Sequence, residues 1–317
     1  MRAAQIEELG RPPVVTGKEP PAAAGGYVLV EVLAAPITPL DLLCASGTSY
    51  FGRPAAPYVP GVQGVGHADG RTVWFPTSAG MAPGDGSMAA VAAVPEADLV
   101  ELPAGADPVA VAAAGLSAVA AYLGLTWRGE LAAGEQVVVL GAGGVVGQAA
   151  VQVARAAGAR RVVAAARSEA AQQRARDAGA DAVVALDTDD HVELADRLAE
   201  ACDGPADLVL DPLFGAPAAA AARVLRPGGR LVNLGGSAGE TSPIDSSTLR
   251  SRSLRLLGYT NNELSPERRA DAIRTVADAV ARGALAVAHE RVPLEQAPSA
   301  WERQAAGGAA GRIVLTP

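Results

Sequence analysis

A chain of 317 residues, half of them apolar, is long enough for about two domains and a sizeable buried core. Its formal net charge of −8 argues against nucleic acid as a partner, and no stripe of basic residues offsets that acidic balance. Two cysteines, Cys44 and Cys202, lie far apart without C-x-x-C spacing, so free buried thiols in a reducing cytoplasm are expected rather than a disulfide framework.

The first residues, "MRAAQIEELGRPP", lack an apolar stretch followed by a cleavage site, and no signal peptide is expected. Residues 1 to about 107 are rich in Pro and Gly and carry short alternating runs such as "GYVLVEVLAAP" (26–36) and "RTVWFP" (71–76). Short strands separated by turn residues predict a compact β-barrel-like domain. The uncharged stretch "PVAVAAAGLSAVAAYLGLTW" (108–127) has the length of a membrane span, but alanine and glycine dominate it and the driving force is weak. A buried interdomain helix is the expectation, with no membrane partner.

From residue 110 helix and strand alternate. Strands are predicted at 137–140, 161–166, 182–186, 208–211, 230–234 and 254–259, with helical patterns at 148–157, 169–178 and 192–201. Strands apolar on both faces, joined by helices, predict an α/β fold with a doubly wound parallel sheet. Beyond residue 262 a helix in "SPERRADAIRTVADAVARGAL" and a strand in "AGRIVLTP" are predicted to return to the first domain. His67, His191 and His289 are expected in surface strands or loops and receive no role.

The chemistry concentrates in "VVVLGAGGVVGQAAVQVARAAGARRVVAAARSE" (137–169), which predicts strand, tight turn, helix and second strand. Gly144 and Gly147 keep the spacing of the second and third glycines of a G-x-G-x-x-G fingerprint, and Ala142 stands at the first. Gly144 lets the backbone approach a pyrophosphate, Gly147 lets the helix pack closely, and the helix start supplies free N–H groups. An acid expected about 20 residues past the turn, to bind the ribose 2′-OH of NAD, is absent at Ala166. Arg167 beside it offers a guanidinium fork suited to phosphate, unless it is only a solvated strand end. NADPH is therefore favoured over NADH.

Further motifs, "AAPITPLDLL" (34–43), "PGVQGVG" (60–66), "AGLSAVAAYLGL" (114–125), "DLVLDPLFG" (207–215), "LRPGGRLVNLGG" (225–236) and "GRIVL" (311–315), join this stretch. With them the chain resembles the zinc-independent quinone oxidoreductases of the medium-chain dehydrogenase/reductase superfamily. The resemblance implies a GroES-like catalytic domain built from residues 1–117 and 263–317 around a Rossmann domain at 118–262. It also implies NADPH-dependent hydride transfer to a quinone or enone, often in a homodimer. By the same matching, Ser117, Gly141, Gly144, Val145, Val146, Gly147, Arg167, Arg174, Gly235, Gly236, Asn261 and Arg312 would contact the coenzyme. Tyr50, in "ASGTSYFG", resembles the family's active-site tyrosine, although it could equally cap its loop. Thr38, the other candidate catalytic residue, would line the nicotinamide with Ser117, or either would be an ordinary packing residue. Asp41 fits a helix cap better than a catalytic role.

Departures from the family narrow the chemistry. Thr38 and Val62 stand where zinc-dependent relatives carry a cysteine and a histidine, and the lobe of four cysteines is missing, so no metal site is expected. Without a Lewis acid an unactivated carbonyl is a poor acceptor, whereas a quinone or enone delocalises the resulting anion. Thr38 replaces the usual asparagine of quinone reductases. Ala171 and Leu186 replace the lysine and tyrosine that help hold the 2′-phosphate, leaving Arg167 with Arg174 for that task. Alternatives are an enoyl reductase of a polyketide or fatty-acyl pathway and a low-turnover NADPH-binding protein. The apolar strand "LRLLGY" (254–259) is expected at the sheet edge and in the dimer contact.

Overall fold

The computed structural model describes every residue except Ala24. It divides into one unit of Met1–Gly115, Pro266–Gly283 and Val287–Pro317, and a second of Leu116–Ser265 and Ala284–Ala286. In the first unit β1 (Arg2–Gln5) and β2 (Val14–Gly17) pair antiparallel. The run 26–36 forms β3 (Tyr27–Pro36), which buries Val30, Val32 and Ala34 and exposes Tyr27, Leu29 and Glu31, as strand alternation requires. Around it lie β4 (Gln63–Ala68), β5 (Arg71–Pro76), β6 (Val91–Pro95) and β7 (Val100–Glu101). The chain end adds β14 (His289–Pro293) and β15 (Arg312–Thr316), giving the order β14-β15-β3-β4-β5-β7 with β6 also paired to β3. Antiparallel pairing of Val314 with Pro36 is where the return segment joins the first strands. Ile6, Ile37, Phe75, Met88, Trp301 and Leu315 fill the core of this unit.

One short helix matters for the site. α1 (Pro39–Ser46) starts at the N-cap Thr38, has proline at its first position and stops at Gly47 in the left-handed conformation. Thr38 and Asp41 form a reciprocal capping box, so local sequence fixes both ends. The long apolar helix α2 (Pro108–Leu123) is broken at Gly115, where φ is 34° and ψ is −136°. A Cβ there would lie 2.3 Å from Gln63 Oε1, so only glycine fits, and the first unit ends at this residue. Among the described residues this segment, Pro108–Arg128 with its final π-helical turn, passes the length and apolarity test for a membrane span, and 67% of its most apolar window is buried in the fold.

The second unit contains six strands: β8 (Gln136–Leu140), β9 (Arg161–Ala166), β10 (Ala182–Ala185), β11 (Ala206–Asp211), β12 (Leu225–Asn233) and β13 (Arg255–Gly258). They are all parallel, in the order β10-β9-β8-β11-β12-β13. Counted from β8 this is 3-2-1-4-5-6, the Rossmann order, whose topological switch point lies between β8 and β11. The connecting helices are α3 (Val145–Ala156), α4 (Glu169–Asp177), α5 (His191–Ala201), α6 (Gly215–Val224) and α7 (Ser246–Arg252). Central strands are buried throughout, and alanine supplies much of the helix and strand packing.

Three details differ from the sequence expectation. β12 begins at Leu225, which pairs with Ala206 of β11; the turn-like "RPGG" (226–229) bulges out before pairing resumes at Arg230 with Leu208. His191 opens α5 behind the cap Asp190 and does not lie in a strand or loop. Both cysteines are free, but Cys202 is only half-buried, whereas Cys44 is buried.

Candidate active site

The turn after β8 is shaped by backbone space. Gly141 has φ of 62°, and Gly144, the exposed N-cap of α3, donates its N–H to the Gly141 carbonyl at 3.0 Å. A Cβ on Gly147 would lie 2.4 Å from Ala142 Cα, so the first turn of α3 sits directly on the phosphate turn. Buried Ala142 is tied to β9 through its N–H to the Ala165 carbonyl at 3.0 Å. Val145, Val146 and Gly147 open α3, and the first N–H groups of a helix have no partner within it. They offer donors and positive potential to an anion. Gly143, not singled out from sequence, is the most crowded residue here: its Cβ would fall 2.3 Å from that of Ala171 in α4.

At the end of β9, Ala166 is buried and Arg167 is exposed, with no hydrogen-bond or ion-pair partner for its guanidinium among the described residues. Ser168 caps α4 by accepting from the Ala171 N–H at 3.2 Å. Arg174, expected beside Arg167 at a 2′-phosphate, directs its Nε to the Gly143 carbonyl at 2.9 Å. That carbonyl also accepts from Gln148 Nε2 at 3.0 Å.

Across the switch point, Asp211 ends β11 fully buried. Its Oδ1 accepts from the N–H groups of Leu213 (2.9 Å) and Phe214 (2.8 Å), and Asn233 Nδ2 donates to its Oδ2 at 3.0 Å. Burial pushes this carboxyl above its ordinary range, against the hydrogen bonds that hold it down. The loop it ties down places Pro212 and Leu213 within about van der Waals contact of Gly141 (a Cβ there would meet them at 3.2 and 3.1 Å). Gly235 is fastened to the same loop: Asn233 Nδ2 donates to its carbonyl at 2.9 Å. Gly236 turns against the Gly239 carbonyl. Asn261 follows β13, with Tyr259 Oη donating to its Oδ1 at 2.8 Å while its Nδ2 donates to the Leu116 carbonyl, one residue before half-buried Ser117, at 3.0 Å. Asp211 and Gly143 shape the candidate site and were missed by sequence reasoning. An acid closing an apolar strand in "LVLDP" was the available signal for the first.

In the first unit the side-chain commitments differ from expectation. Thr38 is buried, donates its hydroxyl proton to Asp41 Oδ2 at 2.6 Å and accepts from the Asp41 N–H at 3.3 Å, so it serves as a helix cap and not as a donor to substrate. Asp41 Oδ1 accepts from the N–H groups of Gly61 (3.0 Å) and Val62 (2.9 Å), so one carboxylate ties the start of α1 to residues 61 and 62. Burial raises the Asp41 pKa, opposed by its bonds from Thr38, Val62 and Gly61. Arg312, expected at the coenzyme, is instead buried beside Asp41 and donates Nη1 to the Ile37 carbonyl at 2.7 Å. Burial lowers its pKa to about 10, and the Asp41 charge works the other way. Tyr50 is 78% exposed with its ring against Phe51, the centroids 4.4 Å apart. Among the described residues no three His, Cys, Asp or Glu side chains are grouped as a metal site would need. A cavity of about 530 Å³ beside residues 76–86 is lined by none of the candidate site residues.

The family profile described as zinc-binding dehydrogenase matches residues 145–278, a stretch that includes neither Thr38 nor Val62. A quinone oxidoreductase from Thermus thermophilus, solved also in its complex with NADPH, is 30% identical, with 100% of each chain covered and a TM-score of 0.82. The human mitochondrial enoyl-[acyl-carrier-protein] reductase is 29% identical over 315 residues, 93% of this chain and 82% of that protein. The spectinabilin polyketide synthase system protein NorB of Streptomyces orinoci is 30% identical over 308 residues, 92% of this chain but 13% of that much longer protein. With a Rossmann sheet of the right strand order, a glycine turn at its switch point and full-length similarity to a quinone oxidoreductase, the chain belongs to the quinone oxidoreductase-like group of the medium-chain dehydrogenase/reductase superfamily and is an oxidoreductase.

Proposed function

We propose that the protein is an NADPH-dependent reductase that passes hydride to a quinone or another α,β-unsaturated carbonyl without a metal. The observation that supports the coenzyme most is the end of β9, where an unpaired Arg167 follows Ala166 and no carboxylate stands against a 2′-phosphate. The residues fit the coenzyme at its other end too, since Gly144 leaves the start of α3 open to a pyrophosphate. When bound, NADPH supplies the hydride from C4 of its nicotinamide. The chain's part is to bind and orient: the N–H groups of Val145 and Val146 hold the pyrophosphate, and Arg167 the 2′-phosphate. Asn261, fixed by Tyr259 and the Leu116 carbonyl, is set to position the nicotinamide. Solvent gives the acceptor oxygen its proton, with exposed Tyr50 as the relay; Thr38 is not available for this because its proton belongs to Asp41.

Steady-state oxidation of NADPH against a panel of quinones and enones tests the proposal, and turnover with several is expected. Similarity to an enoyl reductase over 93% of the chain favours a second reading, reduction of an enoyl thioester. Turnover confined to enoyl thioesters selects it. Coenzyme binding without turnover on either panel leaves a binding protein. A homodimer through β13 belongs to the same proposal: among the described residues that strand pairs only with β12, and Leu256 on it is 42% exposed. Light scattering at micromolar protein should give twice 31.7 kDa, and a monomer would remove the dimer.

A further inference from the structure

Arg174 lies on α4, one helical turn past Ala171, so both residues share a helix face. That face meets the phosphate turn. Ala171 is so close to Gly143 that a Cβ on the glycine would lie 2.3 Å from the alanine's Cβ, and Arg174 Nε donates to the Gly143 carbonyl at 2.9 Å. Gln148, buried on α3, donates to the same oxygen at 3.0 Å. The Gly143 carbonyl is thus held from α3 and from α4 at once. A carbonyl fixes the plane of its peptide, and the N–H on the other side of this peptide is that of Gly144, the N-cap of α3. Beyond that plane lie the free N–H groups of Val145 and Val146.

We propose that Arg174 is a positioning residue for the phosphate turn and not a ligand of the 2′-phosphate. It orients the 143–144 peptide, and through it the donors that open α3. Arg174 ties α4 to the turn. Discrimination between NADPH and NADH then falls on Arg167, whose guanidinium has no protein partner among the described residues. This inference rests on the proposed dinucleotide site, so its test includes a measurement made without coenzyme.

Titrate wild type, Arg174→Ala, Arg174→Lys and Arg167→Ala with NADPH and with NADH by fluorescence, and measure amide hydrogen exchange of residues 141–149 in the free proteins. Arg174→Ala should weaken both coenzymes by the same factor, about 3- to 10-fold, because Gln148 still holds the carbonyl. Exchange at the Gly144 and Gln148 amides, which donate to the Gly141 and Gly144 carbonyls, should quicken in Arg174→Ala without coenzyme and stay unchanged in Arg167→Ala. Arg174→Lys, which keeps a donor on a long stem, should recover part of both effects. Loss of NADPH affinity with NADH untouched would make Arg174 a phosphate ligand and overturn the proposal, as would unchanged affinities and unchanged exchange. If the wild type binds neither coenzyme, the dinucleotide site itself fails. The exchange data then judge the positioning role alone, and equal exchange in Arg174→Ala and wild type would sink that as well.

Discussion

The two edges of the six-stranded sheet use charge in opposite ways. At the amino-terminal edge the starts of β8, β9 and β11 are tied down. Arg230, buried on β12, makes a two-pronged pair with Glu135 just before β8 (2.7 and 2.6 Å) and donates Nε to the Gly129 carbonyl at 2.9 Å. Arg226 pairs with Asp207, which also accepts from the Gln136 N–H at 2.7 Å. Arg155 and the Val162 N–H share Asp181 in the same manner at β9. At the carboxyl-terminal edge the donors are left open: the first amides of α3 and the guanidinium of Arg167. A paired buried charge mainly specifies and holds the fold, whereas an unpaired exposed donor at a glycine turn is free to take a ligand. The difference between the edges marks the functional end more clearly than any single residue does.

Changing one residue on each edge should separate stability from binding. The largest effect is expected at Arg230, because removing this buried arginine leaves half-buried Glu135 with only the Ala132 N–H at 3.0 Å and Arg226 at 3.5 Å. Arg230→Met should cost about 3–5 kcal/mol in urea unfolding, with coenzyme affinity per folded molecule unchanged. A loss below about 1 kcal/mol by the same measurement would show that the edge tolerates an unpaired carboxylate. On the opposite edge, Arg167→Ala should leave the unfolding midpoint alone and weaken NADPH by roughly 10- to 150-fold, the worth of a charge-assisted hydrogen bond of about 1.5–3 kcal/mol. NADH, which has no 2′-phosphate, should bind as before. Ala166→Asp should repel NADPH further and favour NADH. Equal weakening of both coenzymes in Arg167→Ala would make that residue structural.

Acid should act on the amino-terminal edge first. Burial alone would raise the pKa of Glu135, but the bonds from Arg230 and the Ala132 N–H outweigh it and hold the carboxyl below its ordinary 4.5. Asp207 is likewise held below 3.8, where bonds from Gln136 and Arg226 overcome burial. A depressed folded-state pKa gives stability that is present above the ordinary values and is lost as the pH falls through the folded ones. Urea midpoints should therefore hold from about pH 7 to 5 and fall below about pH 4, less steeply in Arg230→Met than in wild type. The smallest effect expected is none: chelators should leave NADPH oxidation unchanged and elemental analysis should find no stoichiometric zinc, since Thr38 and Val62 offer neither a thiolate nor an imidazole. About one zinc per chain would overturn the metal-independent proposal.

Much of the sheet was legible because its strands are continuous runs of Val, Leu and Ala, a pattern that only burial on both faces explains. β8, β9 and β11 lie within two residues of where the sequence puts them. β12 was read five residues short, because Pro-Gly-Gly signals a turn, and that pairing continues on its far side at Leu225 depends on the neighbouring strand. In the site, Gly144 and Gly147 were legible from spacing. Gly143 was not, since its constraint comes from Ala171 on another helix.

What the sequence determined by itself was the doubly wound sheet, the glycine turn at its switch point, the missing acid at Ala166 and the capping box of α1, each written within a few dozen residues. The tertiary fold alone decided which polar side chains remain available for chemistry. Arg174 looked free until the Gly143 carbonyl 31 residues away took its Nε, and Arg312 until it was buried against the Ile37 carbonyl 275 residues away. Hydrogen-bond partners are chosen by proximity in space, and a buried donor must find one wherever the fold provides it. Motif spacing reports the backbone's local path; it does not report where that path brings a distant carbonyl.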